Sequence, residues 1–500
     1  MQPLLTSDQI YLADKATIES KKITSVDLME HAAIAFIKAF ISIYNELSKP
    51  IAVYCGTGNN GGDGLAIARL LVGFGYHHVT VKIAWFSEKS TEDFNQNLER
   101  LKQTNVKIFE YKQAADFPEE EVGIIIDALL GNGLNKPLDG EYKRLVAAIN
   151  DTRKIIVSVD IPTGFFGDGE IEADALTIRS DLTITFQQPK INFLLPESKY
   201  AIKKWIAVDI GIDKQFIEEI NSKYQYLGEA DIKRILKPRE RFSNKGTYGH
   251  ALIIAGQAQT MGAALLSSSA CVYAGAGLTT ACVPESGLTA LNSYMPEIMA
   301  VIREGNRLPA INWNKFSTVS IGPGLGQEEG SLALLKELLD KFSKPVVLDA
   351  DALNLIAANN LLANVPKGSI ITPHVKEFDR LFGEHKNWWQ RLQTAAAKAK
   401  EFDIYIVLKN DYTIVASPDE KLYINSTSNA AMASGGMGDV LTGIITALLA
   451  QKYSPLEACL AGVYLHGKAG DDLAMPHKLL VVLAADVAKQ VPKTIAALLK

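Results

Sequence analysis

Short, uninterrupted runs of branched apolar residues recur along this chain and restrict its fold more than any other feature. Ile51-Ala52-Val53-Tyr54-Cys55, Ile124-Ile125-Ile126 and Ile155 to Val159 show no polar–apolar alternation. Strands of that kind are buried on both faces, which requires a parallel sheet covered by helices. Val79 to Trp85, Leu182 to Phe186 and Trp205 to Ile210 complete a first series, with helical periodicity between them at Leu65 to Gly75 and Tyr142 to Ile149. A second series comes after the Lys/Arg-rich stretch Asp231 to Lys245. It contains Ala251 to Ala255, Leu278 to Val283, Thr318 to Ile321, Val346-Val347-Leu348, Ser369-Ile370-Ile371 and Ile404 to Leu408. A hairpin is expected from Thr413 to Ala416 and Leu422 to Asn425. The chain's 500 residues exceed what one ordinary core holds. The expectation is therefore α/β with two domains, a three-layer α/β/α domain over residues 1–225 and a second α/β domain over 226–500. The boundary is placed where Asn221 to Gly228 carries no strong periodicity.

Composition narrows the partners. The formal charge is −5 and the pI about 6.0, so no basic excess points to nucleic acid and no polybasic run points to a membrane surface. Cys55, Cys271, Cys282 and Cys459 are scattered and form no CxxC pair. They read as thiols of a reducing compartment. The N-terminus, MQPLLTSDQI, turns polar too soon for a signal peptide. The apolar stretch Ala263 to Val283 holds three consecutive serines and reads as a buried helix followed by a strand rather than a membrane span. A cytoplasmic protein acting on small molecules is expected.

Three loops of the first domain carry chemistry. Gly56-Thr57-Gly58-Asn59-Asn60-Gly61 fits G-x-G-x-x-G between a strand and a helix. There the backbone can approach a phosphate and the helix N-terminus favours an anion. The loop departs from the dinucleotide pattern. It continues Gly62-Asp63-Gly64, and the next strand ends Ala84-Trp85-Phe86-Ser87 without an acidic residue for a ribose. Amides and a carboxylate in the turn suit a cation or polar ligand as well as a phosphate. Asp127 runs into Ala128-Leu129-Leu130-Gly131-Asn132-Gly133-Leu134, and Asp160 into Ile161-Pro162-Thr163-Gly164. Ligands of open α/β sheets sit at the carboxyl ends of strands, so Asp63, Asp127 and Asp160 are expected in one crevice. Helix capping by aspartate accounts more readily for one of them than for three.

In the second domain no GxxxxGK[ST] sequence occurs. Instead Gly435-Gly436-Met437-Gly438-Asp439 opens an apolar helix expected over Asp439 to Ala450. Glycines at a helix start leave a concave row of N–H groups that binds anions. Asp439 at its mouth suits a general base that activates a hydroxyl toward a terminal phosphate; the alternative is a simple N-cap. Other strand-end loops are Ile321-Gly322-Pro323-Gly324-Leu325-Gly326 and Leu348-Asp349-Ala350-Asp351-Ala352-Leu353-Asn354. In Thr372-Pro373-His374-Val375-Lys376-Glu377-Phe378, His374 and Glu377 are three apart and expected on one helical face. Lys409-Asn410-Asp411-Tyr412-Thr413 can meet phosphates or simply turn a hairpin.

Together, the Asn-Asn-Gly-Gly-Asp-Gly, Asp-Ala-Leu-Leu-Gly-Asn-Gly and Val-Asp-Ile-Pro-Thr-Gly motifs resemble the YjeF N-terminal family of NAD(P)H-hydrate epimerases, over roughly residues 1–215. The resemblance implies a Rossmann-like domain that interconverts R and S hydrates of NADH and NADPH. It implies that Asn59, Asn60, Gly61, Gly62 and Asp63, with Gly131, Asn132, Gly133, Leu134, Asn135, Lys136 and Pro137, cradle the substrate. It further implies that Asn60, Asp127 and Thr163 hold K+, and that Asp160 contacts the substrate near its reactive carbon, where a carboxylate can serve as acid/base. The second set adds Lys245-Gly246-Thr247-Tyr248-Gly249 and Ser434 to Gly443. Over about residues 228–500 it resembles ribokinase-like ADP- or ATP-dependent NAD(P)H-hydrate dehydratases. This second resemblance implies that ATP or ADP, with Mg2+, phosphorylates the S-hydrate's hydroxyl and that elimination of phosphate restores the ring's double bond. Asp439 would be the base, Gly435, Gly436 and Gly438 part of the anion hole. Lys409, Asn410, Asp411, Tyr412 and Thr413 would bind the nucleotide, and Ala263, Gly324 and His374 the hydrate. Asn410 replaces the family's usual glycine, and Ser428-Asn429-Ala430-Ala431-Met432 departs from its Gly-Asn-x-Gly-Met. A homo-oligomer is expected. The competing reading is a vitamin-precursor kinase with an accessory N-terminal binding domain, which would keep its phosphorylated product.

Overall fold

The computed structural model describes residues 1–117, 121–134, 136–172, 174–304 and 309–500. It contains two compact units: Pro3–Ser222 with Asn387–Trp389, and Lys223–Lys386 with Gln390–Lys500 and Met1–Gln2.

The first unit is built on a seven-stranded sheet of β1 (Ile51–Cys55), β2 (Val79–Ala84), β3 (Lys107–Tyr111), β4 (Ile124–Ala128), β5 (Ile155–Val159), β6 (Leu182–Phe186) and β7 (Trp205–Val208). The order is β3-β2-β1-β4-β5-β6-β7, and every pairing is parallel. Alternate side chains of β1 feed two cores. Ile51, Val53 and Cys55 pack with Phe36, Phe40 and Leu65; Ala52 and Tyr54 pack with Leu145 and Ile149. This is the two-residue period of a strand covered on both faces. The chain leaves β1 and β4 in opposite directions, so a crevice opens between their carboxyl ends. Strand β3 escaped the sequence pattern because it is an edge strand whose residues are largely exposed.

The second unit's own strands are β8 (Tyr224–Leu227), β9 (His250–Ile254), β10 (Leu278–Pro284), β11 (Met299–Arg303), β12 (Thr318–Ile321), β13 (Val346–Leu348), β14 (Ile370–Ile371), β15 (Tyr405–Leu408), β16 (Ile414–Ala416) and β17 (Leu422–Asn425). They run β8-β17-β16-β15-β14-β13-β12-β9-β10-β11. The run from β15 to β11 is parallel, and β15, β16 and β17 form the antiparallel meander. Strand β8 lies parallel to β17, so the aperiodic segment at the expected boundary is in fact a short strand. Strand β11, at one edge of the sheet, is partly exposed and was likewise not anticipated. The helix Met437–Ala450 is buried almost all round, and its Val440, Leu441, Ile444 and Leu448 share a core with Ile253, Val347 and Val407. It begins two residues before Asp439, not at it.

Candidate active sites

In the first unit the β1–β4 crevice widens into a cavity of about 980 Å³. Asn59, Asn60, Asp63, Gly131, Asn132, Gly133, Leu134 and Asp160 line it, as expected. Gly61 and Gly62 lie on the far side of the first turn of the helix Asn59–Gly73. A Cβ on Gly61 would collide with the Gly56 carbonyl, and one on Gly62 would lie 2.9 Å from Met29 Sδ. Gly61 thus lets the helix pack close to the chain leaving β1, and Gly62 lets it pack against Met29 of the helix Ser25–Ile43; neither is among the residues that line the cavity. Lys136 and Pro137 are exposed and stand outside the lining set; Lys136 faces Asp139 at 3.5 Å. Asn135 falls outside the described residues.

Asp160 follows β5 with φ +61, a conformation rare outside glycine that marks a constrained site. Its Oδ1 accepts from Lys190 Nζ at 2.7 Å, the Phe186 amide at 2.8 Å and Thr185 Oγ1 at 3.0 Å. Lys190 is 2% exposed and lines the same cavity. No sequence motif marks it; the one local signal is its place directly before the largely apolar segment Ile191-Asn192-Phe193-Leu194-Leu195. Asp14, on the helix Ser7–Lys21, also lines the cavity. Burial, then the Asp160 charge, raises its pKa to about 6. Burial also lifts Asp63 well above the carboxylate range, with Asp160, Asp14 and Asp93 adding to it.

The expectation that Asp127 shares this crevice is corrected. Its carboxylate has no exposure and turns into the protein. Oδ1 accepts from Thr163 Oγ1 at 2.6 Å; Oδ2 accepts from the Thr163 amide and from Ser158 Oγ, both at 2.9 Å. Burial raises its pKa, and these donors oppose the shift. Asp127 lies within β4, paired on both sides, so its side-chain direction follows the pleat rather than the crevice. Asn60 is 8% exposed, and its Nδ2 has no partner among the described residues.

In the second unit the expected loops gather at the carboxyl ends of the parallel strands. Gly436, at φ +89, turns the chain into the helix Met437–Ala450. Asp439 therefore sits in the first turn and is not the N-cap. The first-turn N–H groups lack acceptors within the helix, an arrangement that can accept an anion. Asp439's pKa is pushed up to about 7 by burial and then by Asp349, with Lys409 pulling the other way. Asp349, 1% exposed, accepts from Lys409 Nζ at 2.9 Å and from Thr442 Oγ1 at 2.8 Å. Its successor Ala350 has φ +48, the bend that separates Asp349 from Asp351, which accepts instead from the Gly326 amide at 2.8 Å.

Lys409 Nζ also lies 3.9 Å from Glu377 Oε2. Burial disfavours its charge, but Asp349 and Glu377 outweigh burial and raise its pKa. Lys409 to Thr413 form the hairpin turn between β15 and β16, closed by Thr413 Oγ1 on the Asn410 carbonyl at 3.0 Å. His374 and Glu377 do meet, with His374 Nε2 3.4 Å from Glu377 Oε1, but across the helix start rather than along a helical face. His374 is the N-cap of the helix Val375–Phe382 and Glu377 completes a capping box with it. His374 Nδ1 accepts from the Lys376 amide at 3.1 Å, and the Glu377 carboxylate accepts from the His374 amide at 2.8 Å. The His374 ring stays half exposed. Gly324 is tied by its carbonyl to Thr260 Oγ1 at 2.6 Å, beside the helix Met261–Tyr273 that carries Ala263. Ser428 to Met432 form a loop and short 3-10 turn in which Asn429 caps the Ala431 amide at 3.0 Å.

The first unit is thus a Rossmann-type domain with an acidic, lysine-containing crevice, and the second a ribokinase-like domain with a glycine-rich helix start and a neighbouring aspartate, Asp439. Residues 25–192 match the family model of the YjeF-related protein N-terminus and residues 251–493 that of NAD(P)H-hydrate dehydratase. The chain belongs to the family of bifunctional NAD(P)H-hydrate repair enzymes. It is 32% identical to the one named so from Thermofilum pendens, over 98% of this chain and 95% of that one. It is 33% identical to that of Escherichia coli, over 96% and 92% respectively. A ribokinase-like superfamily protein of Enterococcus faecalis superposes on 56% of this chain and 98% of its own, with a TM-score of 0.52 and 30% identity.

Proposed function

We propose that the two units perform successive repairs on one damaged nucleotide. The chain is a bifunctional NAD(P)H-hydrate repair enzyme: it interconverts the R and S hydrates of NADH and NADPH and dehydrates the S form at the expense of ADP or ATP. We assign the epimerase to the N-terminal unit and the dehydratase to the C-terminal unit. The observation that carries the second assignment is Asp439, poised near pH 7 beside Lys409 at the start of a glycine-nest helix. Asp439 takes the proton of the ring hydroxyl, whose oxygen attacks the terminal phosphoryl group held by the N–H groups of Gly435 to Gly438; the bond from that phosphorus to the rest of the nucleotide breaks, and ADP leaves from ATP, or AMP from ADP. The ring nitrogen's electron pair then expels phosphate, and loss of a proton from the adjacent carbon restores the double bond. The turn Lys409 to Thr413 holds the nucleotide, and Ala263, Gly324 and His374 flank the hydrate.

Mg2+ would be held here by the nucleotide's phosphates with Asp439 as the available carboxylate, since both oxygens of Asp349 are engaged by Lys409 and Thr442; it would supply neutralisation of the developing phosphoryl charge. K+ fits Asn60, Asp127 and Thr163. Asp127 is a buried carboxylate with no ion pair among the described residues, and an adjacent cation compensates such a charge. The four cysteines are buried and unpaired, which supports a reducing, cytoplasmic setting.

The test is absorbance at the dihydronicotinamide band with mixed R and S hydrates and ATP or ADP. Full recovery is expected. Recovery of only part of the pool would remove the epimerase, and a stable phosphoester without NADH would replace the dehydratase with a kinase.

A further inference from the structure

The epimerase cavity holds more acid/base machinery than Asp160. On Asp160, Lys190 Nζ, the Phe186 amide and Thr185 Oγ1 all converge on Oδ1, which fixes it as an acceptor. Inverting a carbon that bears both a hydroxyl and a ring nitrogen also needs a donor. The hydroxyl must gain a proton to leave as water, and water must lose one when it returns on the other face. A second carboxyl group stands in the same cavity. Asp14 reaches it from the helix Ser7–Lys21, a segment outside the three sequence motifs. An independent feature marks this cavity as a ligand site: Asn60, more than nine-tenths buried, lines it with an amide Nδ2 that has no partner among the described residues.

Resting on the epimerase reading, we propose that Asp14 is the second proton-transfer residue of that site, the acid that protonates the hydroxyl of the hydrated ring carbon. As the proton moves from the Asp14 carboxyl to the hydroxyl oxygen, the C–O bond breaks and water leaves. The ring nitrogen's electron pair closes a C=N bond, giving a planar iminium. Water then adds to the opposite face, the electron pair returns to nitrogen, and the surplus proton goes back to the Asp14 carboxylate. Nothing is oxidised or reduced. Asp160, locked by Lys190, presents negative charge to the cationic intermediate.

The groups facing Asp14 are consistent with this division. Asp160 lies after β5, Lys190 after β6, and Asp63 on the helix Asn59–Gly73; Asp8 and Asp168 line the same cavity. Burial and Asp160 outweigh Lys190 and bring Asp14 to about 6, so close to neutral pH it can both give and regain a proton. Two titratable groups with contrasting surroundings are the usual basis for such a split of roles.

The experiment uses the full chain without nucleotide, so that the dehydratase is idle. Purified R-hydrate of NADH is the probe, and the R:S ratio is monitored by chromatography. For Asp14→Asn the proposal expects kcat for epimerisation to fall by about 100-fold or more with KM within about threefold, the range of a lost general acid. Asp14→Glu should keep a measurable fraction of the rate with an altered pH profile. Dehydration of S-hydrate with ATP should be unchanged in both. In water enriched in 18O, the wild-type product should gain one labelled oxygen per turnover. An Asp14→Asn rate within about fivefold of wild type, or retention of the original oxygen, overturns the proposal while leaving the epimerase reading intact. No acceleration by the wild-type chain overturns that reading and the proposal with it. If Asp14→Asn lowers the melting temperature of the N-terminal unit, the Asp14→Glu profile decides: one identical to wild type overturns the proposal.

Discussion

Lys409→Met tests the electrostatic design of the dehydratase site most directly. The wild-type ammonium is 2.9 Å from Asp349 Oδ1 and 3.9 Å from Glu377 Oε2. Both acids are nearly buried, at 1% and 5% exposure. Methionine preserves most of the side chain's volume and removes only the charge. Breaking a buried pair by deleting one partner costs about 3–5 kcal/mol, because a charge is left without compensation. The same change removes the cation that lowers Asp439, so its pKa must rise above about 7. The base works deprotonated: activity is present above its pKa and lost as pH falls through it. A rise of about one unit, equivalent to about 1.4 kcal/mol, leaves about a tenth of Asp439 ionised at pH 7 instead of about half. That is a fivefold loss from ionisation alone, and loss of a cation beside the phosphoryl group adds about 100-fold more. The assay is kcat/KM for S-hydrate with ATP from pH 5.5 to 9.5, with urea denaturation in parallel. The ionisation share should return at pH 9 and the remainder should not. An acid limb still centred near 7, with stability changed by under about 1 kcal/mol, would refute the account of Asp439's tuning.

The geometry sets three further outcomes. Asp439→Asn keeps the shape of the nest but removes the base; NADH recovery should fall by about 1,000-fold or more, with epimerisation of R-hydrate unchanged. Gly436→Ala forces a Cβ into φ +89 and to 2.5 Å from Leu266 Cδ1; calorimetry should show a loss of about 1–3 kcal/mol, and KM for ATP should rise. Thr163→Val deletes the hydroxyl donor 2.6 Å from Asp127 Oδ1. It should cost about 1–3 kcal/mol in urea titrations and weaken any dependence of epimerisation on K+; unaltered stability would show that this bond is dispensable.

The chain's own pattern determined the two sheets and the loops that carry chemistry. Runs such as Ile51 to Cys55 can only be strands covered on both faces, and the glycine clusters at Gly56 to Gly64 and Gly435 to Gly438 mark where the chain turns into a helix, so sites at the strands' carboxyl ends were legible. Edge strands β3 and β11 and the short strand β8 were not, since partial exposure removes the continuous apolar signal. His374 and Glu377 were visible as a pair, but their capping geometry depends on where the helix begins. Which aspartates look into a crevice was decided only by the tertiary structure. Asp127 and Asp160 have the same local setting in sequence, yet the pleat and Thr163 turn one inward while φ +61 and Lys190 hold the other at the cavity. Asp14 and Lys190 reach that cavity from segments distant along the chain. Nothing in their neighbours specifies it, because side-chain direction and long-range proximity arise from packing rather than from local pattern.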